Sequence, residues 1–352
     1  MIQNKQLTSD VITALRFPLI LGVLLIHNAV GDWNIPVYGT IQDIMSVQMV
    51  SPCVTLFFFF SGYLFFYKNQ ESFTMRDYGT KLKKRVRSLF VPYIFWTVVV
   101  LMYFALAHKF LPQLINPEFN NVYNFTAEEW IRAFWDYPGG QPVCYQFWFL
   151  RDLMVGVVLS PIIYYVAKYG KWYVAALLAI LYVYKIGLFP YQIMLTFFTM
   201  GACFSVNQYD FVGLTKTNTK TETNTKAMTT WVALIVFIIC IVLSETTDWN
   251  MRGFQTFVGM IAVVGLAAIL IENGCKASTF LAGSSFFVYA FHGFPIQVLG
   301  RLLVKVLNPE SVQMWVLCYF LNFFIIVSIS LILYKLLKSL MPRFTAVITG
   351  GR

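Results

Sequence analysis

The first apolar stretch of the chain, Val11 to Val30, carries a fixed cation and a titratable base. The cation is Arg16 and the base is His27. Each helical residue adds about 1.5 Å, so the eleven steps between them rise roughly 16 Å. At about 100° per step they return to within about 20° of the same face. One stripe of one helix would then show a guanidinium and, far above it, an imidazole. A neutral imidazole can take a proton from a hydroxyl as a general base. Ionisable residues are costly in a bilayer and are functional candidates there by default. The plainer readings are a snorkelling anchor for Arg16 and an interfacial polar residue for His27. Pro18, between the two, costs a backbone hydrogen bond that neighbours or cavity water must make good.

Further candidates lie downstream. Lys84 and Arg87 precede Pro92-Tyr93 and are three apart, hence neighbours on a helix surface. Two cations so placed suit a phosphate or pyrophosphate, although ordinary positive-inside charge explains them too. In Phe57-Phe58-Phe59-Phe60-Ser61-Gly62-Tyr63, Gly62 permits close helix approach and Ser61 can bond across helices. Core packing is the default for the aromatics. Trp148-Phe149-Leu150-Arg151-Asp152 places an ion pair at about the depth of His27. Adjacent residues on a helix do not face each other, so each should seek a partner on another span. Asp152 is the candidate orienter of His27, and a structural ion pair is the alternative. Ser61 and Asn28 are candidate oxyanion donors. Trp148, Arg151, Tyr289 and His292 complete a candidate pocket, with a packing role the commoner fate of a buried histidine such as His292. His108 reads as interfacial.

Composition sets the class. Of 352 residues 58% are hydrophobic and 12% charged, about half the charge of an ordinary soluble domain. This predicts an integral membrane protein. The six cysteines are scattered singly, without metal spacing or a disulfide framework. Cys53 and Cys144 could meet on one outer side, which allows a bridge between them. No metal site is expected. No basic soluble face interleaved with aromatics is present, so nucleic acid is excluded as a partner. The excess of base, 26 Lys and Arg against 16 Asp and Glu, follows from topology and from attraction to anionic lipid.

A spanning helix needs about 20 mostly apolar residues. That rule predicts an all-α, polytopic bundle of about ten transmembrane helices, roughly 11–31, 47–67, 88–108, 146–167, 171–187, 189–206, 229–244, 253–272, 280–304 and 312–337. The fifth and sixth are short and joined through Gly187 and Pro190. The first lacks a small-residue cleavage site and reads as a retained span. The 68–87 loop holds Lys68, Arg76, Lys81, Lys83, Lys84, Arg85 and Arg87 against Glu71 and Asp77, so it should be cytoplasmic. Ten spans with both termini cytoplasmic put the other basic clusters on that side. The acidic Asp32, Asp43, Glu118, Glu128, Glu129, Asp136, Glu245 and Asp248 fall outside. Residues 1–352 then form a single transmembrane domain with two long loops. The external 109–145 loop is aromatic and contains Tyr123, Trp130, Trp135, Tyr137 and a Gly139-Gly140 pair. It suits a folded cap or an amphipathic interface segment. The 213–228 tract of Thr, Asn and Lys reads as a mobile cytoplasmic linker.

Taken together, Arg16-x10-His27, FFFFSGY, the basic step before Pro92-Tyr93, the WFL at Trp148 and SSFFVYAFH ending at His292 make the chain resemble the membrane acyltransferase-3 family over nearly its whole length. That family transfers acyl groups, often acetyl, to carbohydrates. The resemblance implies an O-acyltransferase with no permanently bound cofactor. Acyl-CoA, most often acetyl-CoA, would be the co-substrate, and a hydroxyl of a cell-surface glycan or its lipid-linked precursor the acceptor. It implies that His27 is catalytic and that Arg16, Lys84 and Arg87 engage the donor. The expected location is the plasma membrane, the inner membrane of a bacterium, and a homo-oligomer is possible. The chain departs from the family pattern at Lys84, where the first RxxR position has lost the planar fork of arginine. No SGNH-type hydrolase domain is expected after the spans, so any hand-over to one would need a separate protein. Either direct attack on the thioester or an acyl-histidine intermediate would fit His27. The competing function is a polysaccharide or lipid-linked sugar exporter or flippase, which also uses many spans and a broken helix.

Overall fold

The computed structural model describes residues 5–68, 72–110, 112, 120–136, 140–187, 190–215, 227–247 and 249–351. These form fifteen α-helices with short 3-10 and π turns between them, and no strand among the described residues. Glu71, Glu118, Tyr137, Gly139, Asp248 and the 216–226 core of the expected linker lie outside the described residues.

The chain opens with α1 (Lys5–Ile26), whose Val11, Ile12, Leu15, Leu19, Ile20 and Val23 are buried. Its end tightens into i→i−3 bonds, His27 N–H to the Leu24 carbonyl and Asn28 N–H to that of Leu25, both at 3.1 Å. Such closure satisfies carbonyls that a helix end leaves open. Next come α2 (Tyr38–Asp43), a π turn at Ile44–Gln48 and α3 (Ser51–Phe66). A second π turn, Val86–Phe90, joins α4 (Met75–Arg85) to α5 (Val91–Phe110). Thr74 and Asp77 start α4 with a capping box. In the long loop, Thr126 and Glu129 do the same for α6 (Ala127–Arg132). The Glu129 carboxyl is held below its usual range by hydrogen bonds from the Thr126 backbone and side chain.

Beyond the loop run α7 (Trp148–Val158), α8 (Ser160–Val183), α9 (Gln192–Val206), α10 (Met228–Thr246) and α11 (Arg252–Glu272). The chain then bends by 70° between α12 (Thr279–Phe291) and α13 (Gly293–Leu307). It finishes with α14 (Val312–Leu340) and α15 (Pro342–Ile348).

By length and composition, seven of the described helices can cross a membrane, or eight if α12 and α13 form one span. Ten were expected. The expected sixth span is α9, which has only 15 residues. The expected fourth and fifth are divided differently, between α7 and an α8 that bends at Lys171, where φ is 48°. The expected Cys53–Cys144 bridge does not form; both thiols are buried and free.

Without a hydrophobic drive between helices in lipid, contact requires close backbones and van der Waals packing. α3 and α9 meet this through glycines. A Cβ on Gly62 would lie 2.0 Å from the Phe198 carbonyl oxygen, and one on Gly201 2.0 Å from that of Phe59. Around this contact Phe58, Phe59, Phe60, Tyr63, Phe65 and Phe66 are all buried, as core packing predicts. The chain end returns to α5, where Trp96 Nε1 donates to the Ile348 carbonyl at 3.0 Å. Gly350, at φ 71°, packs against the Ser88 backbone in the second π turn. On α10 the large side chains of Val232, Ile235, Ile239 and Val242 remain uncovered, as a lipid-facing helix requires.

Candidate active site

Four helices, α1, α3, α7 and α12, enclose an elongated cavity of about 260 Å³. Its α1 wall is Ile12, Arg16, Ile20, Val23 and His27. These steps of three or four residues make one helix face. From residue 12 to residue 27 the wall rises about 22 Å. Val54, Phe57, Ser61 and Leu64 of α3 form the facing wall. Gly22 lies against Cys53, which sets the register of the two antiparallel helices. Leu64 therefore falls at the Arg16 end and Val54 at the His27 end. Trp148, Phe149 and Leu153 of α7, and Ala282, Ser285, Phe286 and Tyr289 of α12, close the remaining sides.

Two guanidinium groups mark one end. Arg16 is solvent-accessible and lines the cavity, so it stands at the mouth. Arg85 is half-buried beside it, 5.9 Å above the centre of the Phe65 ring. Lys81, one turn earlier, donates to the Phe65 carbonyl at the end of α3. Residues 81 and 85 share a face of α4 that looks toward α3. Lys84 and Arg87 are exposed and do not line the cavity. The sequence pointed to Lys84 and Arg87 and missed Arg85. Arg85 shares its face of α4 with Lys81, four residues earlier, and both lie against Phe65, whereas the spacing argument paired Lys84 with Arg87.

At the other end stands His27, half-buried on the first residue past α1. Its ring meets Tyr145 edge-on, with centres 5.1 Å apart, and lies 5.4 Å from His292. The Tyr145 hydroxyl donates to the Gly293 carbonyl at 3.1 Å. His292 is wholly buried at the α12–α13 bend and is not on the cavity wall. Its Nδ1 lies 2.7 Å from the Tyr289 carbonyl, so that nitrogen carries the proton. Its Nε2 is buried without a hydrogen-bond partner among the described residues.

The expected pairing of Asp152 with His27 is corrected. The Asp152 carboxylate accepts from Arg151 Nε at 2.9 Å, and no hydrogen bond joins it to His27 among the described residues. The guanidinium stem is long enough to fold back onto the neighbouring residue, which the facing rule for short contacts ignores. Arg151 Nη1 also donates to the carbonyls of Trp135 at 2.9 Å and Gly140 at 2.6 Å. The pair thus ties the long loop to α7. Asn28 is corrected as an oxyanion donor as well. It is fully buried, donates to the Tyr319 carbonyl at 3.0 Å and accepts from Asn322 Nδ2 at 2.7 Å. Both ends of its amide are therefore committed to α14.

Ser61, Trp148 and Tyr289 do lie on the wall, although the Tyr289 hydroxyl donates to the Gln146 carbonyl at 2.7 Å. Gln146 itself was missed. It is buried on the wall, its Nε2 donates to the Ala290 carbonyl at 3.1 Å, and its Oε1 has no partner among the described residues. Gly293 makes room for it, since a Cβ there would lie 2.3 Å from the amide. A lone amide inside the Tyr145-Gln146-Phe147-Trp148 aromatic run was the only signal available.

A long, mostly apolar cavity carries guanidinium groups at one end and an imidazole at the other. The acyltransferase-domain family model Acyl_transf_3 matches residues 10–335. The chain belongs to the acyltransferase-3 family and is a multi-pass membrane acyltransferase. It is similar to the succinoglycan biosynthesis protein ExoH of Rhizobium meliloti (strain 1021), 24% identical over 364 residues, 97% of this chain and 92% of that protein. No solved structure matches the chain.

Proposed function

We propose that this protein moves an acyl group, most often acetyl, from cytosolic acyl-CoA to a hydroxyl of a cell-surface polysaccharide or its lipid-linked precursor, in the bacterial inner membrane. The observation that carries this reading is the single cavity lined by Arg16 and Arg85 at one end and His27 at the other. The name of the relative, a succinoglycan biosynthesis protein, supports a polysaccharide acceptor.

Arg16 and Arg85 grip the phosphates of the donor by charge-assisted hydrogen bonds, with Lys84 and Arg87 flanking the mouth. The thin acyl-bearing arm lies along the apolar walls, which exclude water from the thioester. Neutral His27 takes the proton of the acceptor hydroxyl as its oxygen attacks the thioester carbonyl. The carbon–sulfur bond then breaks, and the departing thiolate takes the proton back from His27. Ser61 is the wall hydroxyl able to donate to the transient oxyanion.

The reading is tested with purified protein in vesicles given radiolabelled acetyl-CoA and cell-surface polysaccharide. Label should reach the polysaccharide with release of free CoA, and excess CoA should compete. Movement of lipid-linked sugar without any acyl-CoA, and no binding of CoA, would instead make the protein an exporter.

A further inference from the structure

Among the described residues no carboxylate is bonded to His27, and Asp152 is occupied by Arg151. A general base needs one nitrogen free for the incoming proton. Its other nitrogen, an N–H in the neutral ring, needs an acceptor to fix tautomer and rotation. Three polar groups near His27 can be weighed. The Tyr145 hydroxyl donates to the Gly293 carbonyl, and its oxygen is already engaged by the Gln297 side chain. Gln146 Oε1 belongs to a side chain on the cavity wall, where a substrate donor can meet it. His292 Nε2 belongs to a ring off the wall, so no substrate atom can satisfy it. A buried acceptor left unmet is costly, and the neighbouring protein ring with a proton to offer is His27.

We infer that His292 is the positioning residue of His27, its bare Nε2 accepting the His27 N–H while its own Nδ1–H is anchored on the Tyr289 carbonyl. The ring centres are 5.4 Å apart, about the separation of two imidazoles joined by an N–H···N hydrogen bond of ordinary length. The ring planes are tilted by 34° and Nε2 is unpartnered among the described residues as the rings stand, so the half-buried His27 ring turns to complete the bond. The fold builds the acceptor deliberately. His292 sits where the chain bends by 70° between α12 and α13, and its Nδ1 bonds the carbonyl of Tyr289, three residues earlier, at 2.7 Å. That contact fixes the tautomer that leaves Nε2 bare. When His27 takes the acceptor proton, both its nitrogens carry hydrogen, and His292 holds one of them while the other waits for the thiolate. No proton is passed to His292.

The inference rests on His27 being the base, and the two can fail separately. His292→Phe and His292→Gln are compared with wild type for kcat and for the KM of acetyl-CoA. Gln keeps an acceptor near the place of Nε2, and Phe does not. Outer-shell partners that orient metal-ligating histidines are worth about 10–100-fold, and an effect of the same order is expected here. The expected result is a kcat reduced about tenfold or more in the Phe variant, an unchanged KM, and substantial recovery in the Gln variant. A wild-type kcat in folded His292→Phe overturns the inference, as does equal loss in the Phe and Gln variants. Should the Phe variant not fold, 15N spectra of histidine-labelled wild-type protein decide the matter, since only three histidines contribute. His292 should be protonated at Nδ1, with Nε2 as an acceptor; protonation at Nε2 overturns the inference. Full activity of His27→Ala would defeat the parent reading, whereas an essential His27 beside an indifferent His292 defeats only this one.

Discussion

Arg16 and His27 stand on one wall of one cavity, Arg16 at its accessible mouth and His27 half-buried at the far end. The rise between them, roughly 16 Å, is the distance over which the proposed donor is stretched. Binding and chemistry are thereby separated along a single helix. Changes near Arg16 should alter how much donor is needed, and changes near His27 should alter how fast bound donor reacts.

The donor end gives the first prediction. Arg85→Ala removes a charge on the cavity wall, whereas Arg87→Ala removes one outside it. A lost charge-assisted hydrogen bond is worth about 1.5–3 kcal/mol, or about tenfold to a hundredfold in apparent affinity. Steady-state kinetics should show the KM for acyl-CoA rising by that order in Arg85→Ala, with little change in kcat. The rise should be smaller in Arg87→Ala. The reverse ranking would place the donor on the outer face of α4.

Asn28 should behave as a structural residue although it adjoins His27. Asn28→Ala leaves the Tyr319 carbonyl and one Asn322 hydrogen without their partner. A loss of about 1–3 kcal/mol of stability is expected, read as a lower melting temperature in detergent, while the folded fraction keeps its turnover. A collapse of kcat at unchanged stability would return Asn28 to the chemistry.

Gly62→Ala tests the α3–α9 contact. Its new Cβ would lie 2.0 Å from a backbone oxygen, so the helices must part. Overpacking of this kind costs about 1–3 kcal/mol. Gly79→Ala is the comparison, because nothing lies within 4 Å of its Cβ and alanine is the better helix former by about 0.5–1 kcal/mol. Thermal unfolding should rank Gly79→Ala at or above wild type and Gly62→Ala below it. Equal stabilities would contradict the close approach.

The stripe joining Arg16 to His27 was legible because a regular helix fixes which residues share a face, and α1 is regular up to Ile26. Gly62 was legible because a glycine in an aromatic run has no other use than proximity. Arg85 was passed over because the spacing argument paired Lys84 with Arg87, whereas Arg85 shares its face of α4 with Lys81. Asp152 was misread because residue spacing describes where a side chain begins and not how far a guanidinium can bend. The expected span boundary near residue 170 coincides with the bend at Lys171, whereas the break between α7 and α8 near Leu159 and the shortness of α9, 15 residues, had no clear sequence signal. The approach of His292 to His27 joins residues far apart in the chain. No local pattern encodes it, and the 70° bend beside His292 is signalled only by Gly293 and Pro295.

The central claim is that His27 does the chemistry, and its replacement is the most direct measurement. Single-turnover transfer from saturating radiolabelled acyl-CoA is followed in His27→Ala, with CoA binding measured on the same preparation. A general base contributes about 10²–10⁴ to the rate. The account predicts a fall of that size with CoA still bound at wild-type affinity. Transfer at the wild-type rate by the alanine protein would contradict it.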